Sequence, residues 1–299
     1  MSTRIPRLDD GGRRLRVACV QLAADHDVAA NVARAELGVR EAAARGARLI
    51  ALPEKWNAIG DAEVLRDAAE PTDGPTLARV RAWARELRVW ILAGSIVVRD
   101  PDDVLLRNLS VLVDPSGAIV ASYAKMHMFD VDIAGVAYRE SDAERPGSDL
   151  VVADVDGTLL GMTVCYDVRF PELYRLLALR GARILAVPAA FTLMTGRDHW
   201  EVLLRARAIE NQCFVLAPDI IGEHGGGKVS YGHSMIVDPW GTVLARAADA
   251  EAVIVADLDL EAVDRVRASI PSLANRRADV YGWPGETGAP ESLRAPSNT

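Results

Sequence analysis

The sequence predicts a mixed α/β fold built from two similar halves, and two observations carry that prediction. Short apolar β-rich runs alternate with segments whose apolar residues recur at helical spacing. Three phrases also appear twice, in the same order. "RGARLIALPE" (Arg45–Glu54) returns as "RGARILAVPA" (Arg180–Ala189), "VWILAGSI" from Val89 as "CFVLAPDI" from Cys213, and "VLVDPSGAIVAS" from Val111 as "MIVDPWGTVLAR" from Met235. The copies lie too far apart for a solenoid repeat, so they indicate two halves packed against each other.

Taken in order, "LRVACVQLA" (Leu15 to Ala23) reads as a strand. A helix follows, with Val32, Ala35, Val39, Ala42 and Ala43 on one face, and Gly46 stops it. "ARLIALPE" is a continuous apolar run of the kind buried on both faces, ended by Pro53. Leu77, Val80, Trp83, Ala84 and Leu87 form the stripe of a second helix, and "VWILAGSIVV" reads as one strand after it. In "NLSVLVDPSGAIVASYAK" the turn residues Asp114, Pro115, Ser116 and Gly117 separate two apolar runs, a hairpin signal. The second half repeats the order: "GMTVCYD" as strand, "FPELYRLLALRGA" as helix with Pro171 in its first turn, and "RILAVPAAF" as strand. "DHWEVLLRARAIEN" is a helix, "CFVLAPDI" a strand and "MIVDPWGTVLAR" a hairpin, and "AVIVADLDL" with the helix after it closes the fold. Residues 1–14 are expected to be a flexible N-terminal segment, residues 15–285 a single domain, and residues 286–299 a disordered tail.

Composition narrows the function. Half of the 299 residues are hydrophobic, enough for a large core. A formal charge of -8, from 34 basic and 42 acidic residues without blocks, argues against a nucleic-acid surface and for small-molecule partners. Three cysteines, Cys19, Cys165 and Cys213, cannot all pair and show no C-x-x-C spacing, which points to reduced thiols in the cytoplasm. The polar start "MSTRIPRLDDGGRR" is unlike a signal peptide, and no apolar run is long enough to span a membrane.

Open α/β sheets present ligands to the loops at the carboxyl ends of their strands. Three reactive residues stand at such ends: Glu54 after "LIALP", Lys125 after the hairpin strand, and Cys165 after "LLGMTV" and just before a helix. A helix N-terminus at that point would lower the thiol pKa; taken singly, Cys165 also reads as a buried core thiol, and Glu54 and Lys125 as solvated rim charges. Cys19 and Cys213, inside apolar strands without charged companions, read as core.

Several segments resemble the nitrilase superfamily of carbon-nitrogen hydrolases. "LPE" around Glu54, "YAKMHMFDVD" around Lys125 and "GMTVCYDVRFPELYR" around Cys165 are similar to its three signature segments. "YRES" around Glu140, "FTLMTGRDHWEVLLRARAIENQ", "YGHSMIVDPWG" and "IPSLANRRADVYG" resemble the Nit branch, which contains the omega-amidases and the deaminated glutathione amidases. The resemblance implies a four-layer α-β-β-α sandwich with internal pseudo-twofold symmetry, usually paired into a homodimer, and a Glu54–Lys125–Cys165 triad without metal or cofactor. It also implies that Glu140 acts as a second glutamate, positioning substrate or water. Arg169 matches an arginine that in some relatives holds a substrate carboxylate; the alternative is that it pairs with Asp167 or Glu172.

The triad also has a physical rationale. Ordinary pKa values of about 4.3 and about 8.5 make direct thiol-to-carboxylate transfer cost roughly 6 kcal/mol, and burial together with a nearby ammonium can narrow that gap. Glu54 is expected to take the thiol proton as Cys165 attacks a carboxamide carbon. Lys125 and the Tyr166 backbone N–H would hold the oxyanion, and Glu54 would then protonate the leaving amine and activate water for thioester hydrolysis. Phe191 and Thr192 would wall the pocket. His127, His199 and His233 read as structural or pocket-wall residues. The glycine-rich "GEHGGGK" lacks the spacing of a phosphate loop and reads as a mobile surface loop. The expected activity is amidase action on a small anionic amide, with a nitrile- or N-carbamoyl-hydrolysing enzyme, or a non-catalytic nitrilase-like scaffold, as the alternatives. "GRDHW" around Arg197 and the loop between Asp130 and Glu140 depart from the branch's animal members, at the pocket rim. One asymmetry completes the reading: the repeated phrase ends once in Glu54 and once in Ala189, so exchanging Ala189 should leave turnover intact.

Overall fold

The computed structural model describes residues 13–281 except positions 101, 102, 134 and 226. In the first half the strands are β1 (Arg14–Gln21), β2 (Leu49–Ala51), β3 (Trp90–Leu92), β4 (Ile96–Val98), β5 (Arg107–Val113) and β6 (Ile119–Ala124), with helices α1 (Val28–Ala44), α2 (Ala62–Ala68) and α3 (Pro75–Leu87). A crossing segment carries β7 (Asp130–Ile133) and β8 (Val136–Arg139). The second half holds β9 (Val152–Val155), β10 (Thr158–Met162), β11 (Ile184–Ala186), β12 (Phe214–Ala217), β13 (Ile221–Glu223), β14 (Val229–Tyr231), β15 (Met235–Val237) and β16 (Val243–Arg246). Its helices are α4 (Pro171–Leu179) and α5 (Glu201–Asn211); β17 (Ala252–Asp259) and α6 (Glu261–Ser269) follow. The segments expected to be flexible lie outside the described residues apart from Arg13 and Arg14, and Arg14 already opens β1.

The echoes in the sequence correspond to equivalent strands in two sheets. One sheet runs β17-β1-β2-β3-β5, with β4 and β6 both on β5; the other runs β9-β10-β11-β12-β15-β16. In each, three parallel strands (β1-β2-β3 and β10-β11-β12) are flanked by an antiparallel strand on one side and a hairpin on the other. Alternation along β1 sets the layers. Leu15, Val17 and Cys19 join a core shared with Leu160, Met162 and Ile184 of the second sheet. Ala18, Val20 and Leu22 point the other way, under Val39 and Ala42 of α1 and Leu77, Val80 and Trp83 of α3. Leu173 and Leu177 of α4 and Leu204 and Ala208 of α5 cover the outer side of the second sheet. The result is the expected α-β-β-α order.

Helix signals act locally as the sequence suggests. Asp27 caps α1 by accepting the Ala30 N–H (3.0 Å), and Pro171 opens α4 where no intrahelical donor is needed. Asp114 closes the first hairpin by accepting the N–H of Ser116 (2.8 Å) and of Ala118 (2.9 Å).

Two expected strands are broken. "VWILAGSIVV" forms β3 and β4, separated at Gly94, whose φ is +38°. A Cβ there would lie 1.9 Å from the Pro53 carbonyl oxygen and 2.1 Å from that of Leu52. Only glycine lets the chain pass so close to the end of β2. "GMTVCYD" is strand only to Met162, after which Cys165 opens a 3-10 turn (Cys165–Arg169) at φ +48°. Strands β7, β8 and β9 and helix α2 carry no strong periodicity and were not expected.

Candidate active site

Glu54, Lys125 and Cys165 arrive from three strand ends and line one cavity of about 140 Å³. The Leu52–Pro53 step beyond β2 brings Glu54 to the seam between the sheets, where its N–H faces the Ala189 carbonyl at 3.4 Å. Lys125 directly follows β6, and its N–H donates to the Asn108 carbonyl (2.9 Å), extending the β5–β6 ladder by one residue. Cys165 is held by its N–H donating to the Pro188 carbonyl (2.8 Å), and Asp167 draws the chain into its turn by accepting the Val164 N–H (2.8 Å).

The Lys125 ammonium donates to Glu54 Oε1 (2.9 Å) and to Glu140 Oε1 and Oε2 (2.9 and 2.7 Å). Glu54 also accepts from Asn108 Nδ2 (2.8 Å) and, on Oε2, from the Ala190 N–H (3.0 Å). Glu140 accepts in addition from Lys55 Nζ (2.9 Å) and the Phe129 N–H (2.8 Å), and Lys55 Nζ donates to Glu144 Oε1 (2.5 Å). Two ammonium groups and three carboxylates thus share one buried cluster.

Charges in this cluster decide its protonation. Burial opposes the Lys125 ammonium, but Glu140 and Glu54 outweigh it and hold its pKa well above the ordinary lysine value. Glu140 is held well below the carboxylate range because Lys125 and Lys55 overcome its desolvation. Burial pushes Glu144 up despite Lys55. The Cys165 thiol is pushed well above its usual value, first by burial and then by the Glu54 charge, with Lys125 pulling the other way. The expected lowering by a helix N-terminus does not prevail. A five-residue 3-10 turn separates Cys165 from Pro171, the first residue of α4, and the macrodipole falls off within about one turn. At rest the thiol keeps its proton.

The remaining expected residues surround this cluster. Tyr166, Arg169, Phe191 and Thr192 all line the cavity. The Arg169 guanidinium lies 5.1 Å from the Phe191 ring centroid and 6.0 Å from that of Tyr166, and Nη1 is 3.3 Å from His199 Nδ1. Neither Asp167 nor Glu172 pairs with it, and among the described residues no carboxylate does. Asp167 is engaged elsewhere, by the Tyr123 hydroxyl (2.7 Å) and by His127 Nδ1 (2.7 Å), whose ring stacks on Phe170 at 3.6 Å. His127 therefore braces the cysteine turn. His233 Nδ1 lies 3.1 Å from the Tyr231 carbonyl, away from the cluster. Among the described residues no group of three or more His, Cys, Asp and Glu side chains is arranged to hold a metal ion.

Sequence reasoning missed Lys55, Glu144, Asn108 and Asp219. Lys55 adjoins Glu54 and reads as a rim charge; only the fold turns it inward. Asp219 is fully buried, with Oδ1 accepting the Phe191 N–H (2.9 Å), and burial pushes its pKa well above the ordinary value. The "GEHGGGK" stretch joins β13 to β14 as a hairpin, and its His224 and Lys228 line the cavity. Burial lowers the His224 pKa to about 4.

Ala189 is not a free position either. It is fully buried, its carbonyl accepts the Ile220 N–H (3.0 Å), and the next residue, Ala190, donates to Glu54. The strand end that carries an alanine therefore holds the glutamate of the other half.

Comparison with known proteins shows the family and the fold. Residues 16–268 match the family model described as carbon-nitrogen hydrolase. The chain is 41% identical to a deaminated glutathione amidase of Yersinia enterocolitica over 270 residues, covering 89% of this chain and 94% of that protein. It is 36% identical to the human omega-amidase over 267 residues, covering 89% and 96%. A crystal structure from Saccharomyces cerevisiae, described as a member of branch 10 of the nitrilase superfamily, superposes with a TM-score of 0.81 at 30% identity, covering 88% of this chain and 97% of that one. With its paired sheets, its buried Glu–Lys–Cys cluster and these relatives, the chain belongs to the carbon-nitrogen hydrolase family and has the nitrilase-type fold.

Proposed function

We propose that the protein is a cysteine-dependent amidase in which Cys165 is the nucleophile, Glu54 the proton carrier and Lys125 the oxyanion ligand. The observation that carries this reading is the convergence of those three side chains on one cavity from three separate strand ends. As Cys165 Sγ bonds to the amide carbon, its proton passes to Glu54, and the C=O π electrons move onto oxygen. That oxyanion is held by the Lys125 ammonium and the Tyr166 N–H. Glu54 then protonates the nitrogen, the C–N bond breaks, and ammonia or an amine leaves a thioester. Water attacks next with Glu54 taking its proton, and the carboxylic acid and free thiol are released. A thiol that holds its proton at rest suits this order, since the carboxylate beside it accepts the proton only as the C–S bond forms. Glu140 orients Lys125.

The substrate in this reading is a small anionic amide. Arg169, with no carboxylate partner among the described residues, supplies a planar guanidinium at the cavity for a substrate carboxylate. Relatives named deaminated glutathione amidase and omega-amidase support 2-oxo acid omega-amides and deaminated glutathione-like amides as the first compounds to try. We also read the chain as a cytoplasmic homodimer. Three free thiols support the compartment, and the exposed Val202 and Ile209 on one face of α5, with the exposed Trp240 of the β15–β16 turn, support the pairing. Sedimentation tests the second point.

The test of activity is ammonia or amine release from a panel of carboxamides, nitriles and carbamoyl amines, with the native chain and with Cys165→Ala. Release by the native chain alone is the expected outcome. Equal release by both removes Cys165 from the mechanism, and preference for a nitrile or a carbamoyl compound reassigns the substrate.

A further inference from the structure

Beside the three residues of the proposed mechanism lies a second buried lysine to which that mechanism gives no role. Lys55 is 6% exposed and sits at φ +49°, a left-handed conformation that strains a non-glycine residue. Its backbone is fixed there by its N–H donating to Ser95 Oγ (3.1 Å). A side chain held inward against both backbone strain and desolvation needs a counterweight, and it has two: Glu140 Oε1 at 2.9 Å and Glu144 Oε1 at 2.5 Å.

The geometry around Glu140 shows what this arrangement does. Glu140 is faced by Lys125 from the end of β6, by Lys55 and Glu54 from the end of β2, by Glu144 from its own segment, and by Cys165 across the cavity. Asp130, at the start of β7, accepts the Ser141 N–H (3.1 Å) on the far side of the Glu140 turn. Without Lys55, Lys125 would be the only cation paired with Glu54 and Glu140 among the described residues, with Glu144 adding a third carboxyl. Close carboxylates that share too little positive charge cannot all stay ionised.

We propose that Lys55 is a positioning residue: it holds Glu140 ionised and in place, with Glu144 as its counterion, so that Lys125 remains available to Glu54 and to the oxyanion. This rests on the role given to Glu140 above. The alternative is a structural ion pair with no effect on the reacting groups. The two are separable because a buried ion pair can often be replaced by apolar residues at little cost, whereas deleting one partner leaves the other charge buried and uncompensated.

The decisive variant is therefore the double exchange Lys55→Met with Glu144→Leu, which leaves no orphaned charge; Lys55→Gln is the second. Carboxyl-carbon NMR of labelled glutamate, with the Glu140 signal assigned by its loss in Glu140→Gln, follows titration without requiring turnover. In the native chain Glu140 should stay ionised through the acid range in which the protein is folded. In either variant its titration should move up by about one pH unit or more, and the acid limb of kcat/KM should move with it. An unchanged Glu140 titration in a folded variant overturns the proposal and leaves Lys55–Glu144 as a structural pair. Failure of the native chain to hydrolyse any amide would sink the amidase reading instead, while the NMR titration would still decide the role of Lys55.

Discussion

The two halves of the molecule solve the same local problem with different side chains, and the difference leaves a cavity-facing carboxylate at one of the two equivalent strand ends only. In the first half β2 is followed by Leu52–Pro53–Glu54, and Ser95, just beyond β3, accepts the Lys55 N–H. In the second half β11 is followed by Val187, Pro188 and Ala189, and Asp219, at the position matching Ser95 in the echoed phrase, accepts the Phe191 N–H (2.9 Å). Both loops are thus held by a polar side chain from the neighbouring strand's end. Only the first presents a carboxylate to the cavity, and the Ala190 N–H of the second grips it. Repetition supplies the frame, and the Glu54-to-Ala189 difference puts the carboxylate on one half and part of its hydrogen-bonding support on the other.

That comparison can be broken most severely at the chemical groups. Glu54→Ala and Cys165→Ala should each lower kcat by about a thousandfold or more, whereas Ala189→Gly, which keeps the Ala190 N–H, should leave most activity; steady-state kinetics on well-folded variants decides. Arg169→Ala comes next. Loss of a charge-assisted contact worth about 1.5–3 kcal/mol should raise KM for an anionic amide by roughly ten- to a hundredfold while sparing a neutral amide, and equal effects on both would remove Arg169 from substrate recognition.

Stability measurements sharpen the comparison further. Ser95→Ala and Asp219→Ala each strip a buried N–H of its acceptor and should cost about 1–3 kcal/mol in urea unfolding. Asp219→Asn, which retains an acceptor, should not. The pH response should differ in sign between the halves. Glu140 is depressed in the folded state, so its contribution is present above the ordinary carboxylate pKa and fades as pH falls through the folded value. Asp219 is raised, so its contribution is full below the ordinary aspartate pKa and is lost as pH climbs towards the folded value. Asp219→Asn should accordingly gain melting temperature at neutral pH and little in acid. The smallest effect concerns the resting thiol. With Cys165 pushed up by burial and by Glu54, its alkylation by iodoacetamide near neutral pH should be several-fold slower than that of an exposed thiol.

Much of this was legible beforehand because it is written in local pattern. Apolar runs ended by proline marked β2 and β11, turn residues marked both hairpins, and the chemistry-bearing letters stood at strand ends. Where the reading failed, the cause was an approach between distant segments. Gly94 breaks a continuous apolar run because the end of β2 passes beside it. Lys55 is charged and looks solvated until Glu140 and Glu144, far along the chain, close over it. Arg169 had plausible acidic neighbours in sequence, yet Asp167 is turned inward to Tyr123 and His127.

By itself, the sequence determined the alternation of strands and helices and the pairing of two halves, since periodicity and repetition need only neighbours along the chain, and its family resemblance singled out Glu54, Lys125 and Cys165. Tertiary structure decided the state of those groups. Desolvation and charge depend on what packs within a few ångströms, so only the folded seam makes Lys125 a shared ammonium, keeps the Cys165 thiol protonated, and recruits Lys55 and Ala190 to hold two glutamates in place.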